Sequence, residues 1–66
     1  MFTRQHYRAI AEIIKKHHLE QDTFAVKTAL WQVASELADC FARDNERFAP
    51  IQFLSACGFP NGEAPL

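Results

Sequence analysis

The stretch TFAVKTALWQVASELADCFA, residues 23–42, decides the fold. When Leu30 is placed at the front of a helix and each residue advances by about 100°, apolar side chains cover roughly 220° of the circumference. A helix that lies on one surface needs an apolar arc of only about 100°. We therefore predict a long central helix over residues 23–44 that is covered on at least two sides.

The residues before this stretch predict a first helix over residues 4–18. Thr3 is a favourable N-cap residue, and Phe2 and Tyr7 stand at the two positions of a hydrophobic staple. Apolar residues then follow at a spacing of three to four, which is typical of a helix with one buried face. These residues are Tyr7, Ile10, Ala11 and Ile14. Histidines and lysines at positions 15–18 complement the negative end of such a helix.

The residues after this stretch predict a short third helix over residues 50–57. Asn45 suits the left-handed conformation that ends the central helix. Pro50 suits a first helical position, and Phe48 and Phe53 form a second staple pair. Gly58 at the end allows a Schellman motif, in which Phe59 after the glycine contacts Leu54 in the last turn.

The predicted fold class is therefore all-α, a small three-helix unit with one long central helix. We assign residues 1–59 to a single helical domain and residues 60–66 to a loose C-terminal tail, because the tail has no apolar period. Two flanking helices, one of them short, leave part of the central apolar arc uncovered. Val26, Val33 and Cys40 recur on one flank at a spacing of seven. We expect a partner to cover this dimer flank, either a second copy of the chain in a two-fold dimer or a host protein.

The composition narrows the class of partner and the compartment. The chain of 66 residues has a net charge of −1, with four basic side chains against one acidic in residues 1–18 and three against seven in residues 19–66. No apolar run is long enough to cross a membrane. The N-terminus does not resemble a secretory signal, so we expect two reduced, mostly buried thiols in a cytoplasmic protein.

The sequence favours no enzymatic chemistry. His17 and His18 point about 100° apart on a helix and do not converge on one metal ion. Neither Cys40 nor Cys57 stands in the setting of a catalytic thiol, and no phosphate-binding glycine loop is present. We predict no catalytic residue, no metal site and no cofactor.

Two binding hypotheses stay open. Trp31 at the edge of the apolar arc, together with a charged corner at Arg43, Asp44 and Arg47, favours a protein partner, since tryptophan and arginine are enriched at binding hot spots. The same residues are also consistent with core cover and a salt-bridged helix corner. The alternative is a nucleic-acid-binding regulator that uses the basic face of the first helix, formed by Arg4, Arg8 and Lys15.

Three segments resemble a family of short proteins encoded by bacteriophages and prophages. The segments are Phe2-Thr3-x-x-His6-Tyr7-x-x-Ile10-Ala11, Leu37-Ala38-Asp39-x-Phe41-Ala42-x-Asp44-Asn45-x-Arg47-Phe48 and Phe53-Leu54-x-Ala56-Cys57-Gly58. The chain departs from the family pattern at Glu46, where a proline is frequent, and at Ala49, where an acid is frequent. The resemblance implies a shared fold, a phage-type origin and a bacterial host cell, and it assigns no catalytic or binding residue.

Together these observations predict a non-enzymatic protein-binding module, such as a phage-type modulator or inhibitor of a host or defence protein. A homodimer is expected, and nucleic-acid binding is the alternative function.

Overall fold

The computed structural model describes residues 3–20 and 23–65, and in these residues it is all-α, as predicted. Helix α1 spans Arg4–Glu20, α2 spans Phe24–Asp44, α3 spans Pro50–Ala56, and a single 3-10 turn spans Pro60–Gly62. The predicted helix boundaries agree with these bounds to within two residues. The 21 residues of α2 correspond to about 31 Å of helix, which nearly equals the longest dimension of the molecule, 33 Å.

The core combines small residues of α1 and α2 with large side chains from all three helices and from the segment after α3. Ala11, Ala34 and Ala38 are buried, so the backbones of the two long helices lie close to the core centre. The remaining buried apolar residues are Ile14, Phe41, Phe53, Leu54, Cys57 and Phe59. Helix α3 packs against both α1 and α2 more extensively than those two pack against each other. Although α2 is the longest helix, the short α3 is the element wedged between the other two.

An aromatic cluster fixes the corner between α2 and α3. The ring centroid of Phe41 lies 4.9 Å from that of Tyr7, 5.4 Å from that of Phe48 and 5.6 Å from that of Phe53. Phe48 and Phe53 are themselves 5.6 Å apart, so the predicted staple at the start of α3 is confirmed. The staple predicted between Phe2 and Tyr7 involves Phe2, which lies outside the described residues.

The helix ends follow the sequence signals in part. Thr3 precedes α1, and its backbone N–H donates to Nδ1 of His6 at 3.0 Å. Thr23 precedes α2 without a side-chain capping bond. Asn45 does not take the predicted left-handed conformation, because its φ is −145°. Its side-chain oxygen instead accepts the N–H of Arg47 at 3.0 Å, an Asx turn that redirects the chain toward α3.

The end of α3 is the predicted Schellman motif. Gly58 has a φ of +100°, the N–H of Phe59 donates to the carbonyl of Leu54 at 3.0 Å, and the N–H of Gly58 donates to the carbonyl of Ser55 at 3.0 Å. The prediction that all of residues 60–66 form a loose tail is wrong for Pro60–Gly62. These residues form a 3-10 turn against α3, with Gly62 close to the side chains of Leu54 and Ile51.

Candidate functional site

The dimer flank predicted on α2 is exposed. Val26 is 39% and Val33 is 51% accessible to solvent, and Cys40 is exposed as well. The buried face of α2 lies to one side of this line and is formed by Ala34, Ala38 and Phe41. Neither α1 nor α3 covers the flank, so an apolar line along α2 faces solvent in the single chain.

The expectation that both thiols are mostly buried is wrong for Cys40. Its thiol lies at the surface, 3.7 Å from Nη2 of Arg43, whereas Cys57 is buried at the end of α3. Burial raises the pKa of the Cys57 thiol to about 11, so that thiol stays protonated and poorly nucleophilic. Both cysteines are free.

The charged corner of the protein-binding hypothesis is exposed, and within residues 3–20 and 23–65 no ion pair holds it. Nε of Arg43 donates to the backbone carbonyl of Asp39 at 3.4 Å rather than to a carboxylate. Asp44 is the last residue of α2, and Arg47 follows the Asx turn with its side chain exposed. The contacts that hold this loop are the hydrogen bond to the Asn45 side chain and the packing of the Phe48 ring.

Trp31 is half-buried and has an intramolecular role. Its indole N–H donates to the carbonyl of Gly62 at 3.1 Å, which ties the 3-10 turn to the middle of α2. The bond joins residues 31 positions apart in sequence. This indole therefore anchors the C-terminal turn, and only part of its surface is left for a partner.

The basic residues of the nucleic-acid hypothesis do not all line the same groove. Arg4 and Arg8 line an open groove of about 780 Å³ between the first half of α1 and α3, and Arg47 from the corner lines the same groove. Lys15 lies further along α1, where its Cγ is 3.6 Å from the position a side chain at Gly58 would occupy. The groove thus brings Arg4 and Arg8, predicted for nucleic-acid binding, together with Arg47, predicted for protein binding.

His18, which the sequence placed among the cations of the last turn of the first helix, is buried. Its ring centroid lies 4.5 Å from that of Phe59. Burial, and secondarily the charge of Lys27, lower the pKa of His18. A signal for this burial was present in the sequence, because Tyr7, Ala11, Ile14 and His18 follow one another at helical spacing on one face of α1.

Sequence reasoning missed the groove because its walls come from distant segments. Gln52 and Ala56 on α3 and Ala49 before it line the wall opposite α1. No short-range pattern links these positions to Arg4 and Arg8. The groove forms only where α3 packs beside α1, so no local pattern in the sequence indicates it.

Within residues 3–20 and 23–65, no group of three histidine, cysteine or acidic side chains is placed to hold a metal ion. In the same residues no helix combines the length and the apolar character needed to cross a bilayer. Comparisons with protein-family models, curated proteins and solved structures found no match to this chain.

Proposed function

We propose that this protein is a non-enzymatic protein-binding module that forms a homodimer through the flank of α2. We further propose that it is a phage-type modulator or inhibitor of a host or defence protein and acts in the cytoplasm of a bacterial cell. The exposed line of Val26, Val33 and Cys40 carries the first proposal. The sequence resemblance to short phage-encoded proteins supports the second.

The spacing of the flank suits a partner helix. Residues seven apart lie two turns apart on nearly the same side of a helix, and such a line is the pattern of a helix-to-helix seam. Single exposed apolar residues are ordinary on protein surfaces, but aligned ones are a mark of interfaces. Each square ångström of apolar surface covered on association contributes about 25 cal/mol before the costs of association.

The flank is symmetric about Val33, which favours a two-fold pairing of antiparallel α2 helices. In that arrangement Val33 meets the partner's Val33, and Val26 meets the partner's Cys40. A parallel pair would instead bring the two Cys40 side chains together. We favour the antiparallel form because it places a valine against itself at the centre and keeps the Arg43 guanidinium groups at opposite ends of the seam.

Sedimentation equilibrium at tens of micromolar tests the homodimer. We expect a mass of about twice 7.6 kDa. Val33→Glu buries a charge in the proposed seam and is expected to give the monomer mass with an unchanged helical circular dichroism spectrum. Gln32→Glu is the matched control, because it adds the same charge on an exposed neighbouring position of α2 outside the flank. A monomer mass for the unsubstituted chain would contradict the proposal.

A modulator of a host protein should retain that protein from a bacterial lysate. We expect immobilised protein to capture one bacterial protein in near-stoichiometric amount. The complementary test is a mobility-shift titration with nonspecific DNA at low salt. DNA binding at micromolar protein that weakens steeply with salt would make nucleic-acid binding the main activity instead.

A further inference from the structure

The groove between α1 and α3 is a second surface, separate from the flank of α2. Its α1 wall carries Arg4 and Arg8, one helical turn apart, and Arg47 stands at the end where the chain enters α3. All three arginine side chains are exposed. None of the described residues that line the groove is acidic. Three arginines therefore line one concave surface of a chain whose net charge is −1.

The floor of this groove is aromatic. Tyr7 and Phe48 are half-buried, with ring centroids 4.7 Å apart, and the buried ring of Phe53 lies 5.6 Å from Phe48. The opposite wall is low, because Ala49 and Ala56 carry small side chains. A ligand that fits must bring negative charge to the arginine wall and apolar surface to the floor.

The backbone under Arg47 is fixed before any ligand binds. Its N–H donates to Oδ1 of Asn45 at 3.0 Å, and the N–H of Phe48 donates to the carbonyl of Asn45 at 3.0 Å. The other two arginines project from a regular helix. A site on rigid elements loses less ordering entropy on binding than one on a loose loop.

We propose that this groove binds an acidic segment of a partner protein, with carboxylates on Arg4, Arg8 and Arg47 and apolar side chains over Tyr7 and Phe48. Guanidinium groups pair with carboxylates through two parallel hydrogen bonds, which gives direction as well as strength. Lys15 does not line the groove, so among the described lining residues Arg4, Arg8 and Arg47 supply its positive charge. The groove does not require the dimer, so either proposal can fail without the other.

Selection from a library of displayed random dodecapeptides tests this proposal. The unsubstituted protein is expected to select peptides enriched in Asp and Glu relative to the starting library. Affinity of the best peptide, measured by fluorescence anisotropy, is expected to fall at least about tenfold in Arg8→Glu and to weaken as salt is raised. Lys16→Glu is the matched control, because Arg8 and Lys16 each stand four residues from Glu12 and Lys16 lies outside the groove.

A second pair of variants guards against a folding defect in α1. Arg47→Glu changes the groove from the loop before α3, and Ser55→Glu adds a negative charge at an exposed position of α3 that does not line the groove. We expect loss of peptide binding in the first and retention in the second. The proposal is overturned if selection yields no acidic enrichment, if groove and control variants weaken binding equally, or if an oligonucleotide binds more tightly and is released by Arg8→Glu.

Discussion

His18 is a histidine that the fold holds in its neutral form. The side chain is 8% accessible, and its Nδ1 has no hydrogen-bond partner among the described residues. Burial is the larger cause of its lowered pKa, and the positive charge of Lys27 is the smaller one. His18 lines an open cavity together with Phe24, Phe59 and residues of the C-terminal segment. Glu63 lines the same cavity.

We predict that acid destabilises the protein through His18. Because the folded pKa lies below the ordinary value of 6.5, the unfolded chain takes up the proton first. The stabilisation is complete above that value and is lost as pH falls through it toward the lowered folded pKa. His18→Leu should therefore show a smaller loss of unfolding free energy between about pH 7 and about pH 5 in urea titrations.

His17→Leu is the control for this prediction, because His17 is the exposed neighbour of His18 on α1. It is expected to keep the pH dependence of the unsubstituted protein. Equal pH dependence in the His18 variant and the unsubstituted chain would show that His18 does not couple stability to pH.

Gly58 is a second residue that the fold requires, because both its backbone conformation and its lack of a side chain are needed. A side chain there would have to adopt a φ of +100°, and its Cβ would lie 2.9 Å from Cδ2 of His18. We expect Gly58→Ala to lower the unfolding free energy by roughly 1–3 kcal/mol. Ser55→Ala, at an exposed position of α3, should cost much less in the same urea titration. Equal midpoints for the two variants would contradict this account of the α3 terminus.

At the scale of the elements, the C-terminal 3-10 turn depends on α2. The hydrogen bond from Trp31 to the Gly62 carbonyl joins them, and the turn also packs on Leu54 of α3. We predict that Trp31→Phe lowers the unfolding free energy by about 1 kcal/mol, because it removes the donor while keeping a ring in place. Amide shifts of Asn61, Gly62 and Glu63 should move toward those of an unstructured segment.

A double-mutant cycle isolates this bond. In a chain that ends at Phe59, the acceptor is absent, so Trp31→Phe should cost clearly less than in the full chain. If the substitution costs the same with and without residues 60–66, Trp31 stabilises the core through packing and not through the turn.

The helices were predictable from the sequence because their signals are local. The apolar spacing in residues 23–42, the staple of Phe48 and Phe53 and the glycine at position 58 each act within a few residues. The turn at Pro60–Gly62 was not predictable in this way, since its hydrogen-bond donor, Trp31, lies 31 positions away. The groove was not predictable for the same reason, because Arg4, Arg8 and Arg47 line one surface only after α1, α2 and α3 have packed.

At the scale of the whole molecule, two surfaces with different chemistry lie on different helices. The flank of α2 is apolar and suits a second copy, whereas the groove between α1 and α3 is basic and suits an acidic segment. A dimer through α2 would carry two grooves. Such a dimer could bind two segments of one partner, which raises the overall affinity without any new contact.

Disulfide trapping tests the paired flank most directly. Val33→Cys in a Cys40→Ala background places one new surface thiol at the proposed two-fold centre and leaves the buried Cys57 unchanged. Under mild oxidation we predict a covalent species of about twice 7.6 kDa on nonreducing mass spectrometry. The unsubstituted chain should not cross-link, because the two Cys40 side chains would lie about 21 Å apart in an antiparallel pair. A Val33→Cys chain that stays at 7.6 kDa would contradict the account.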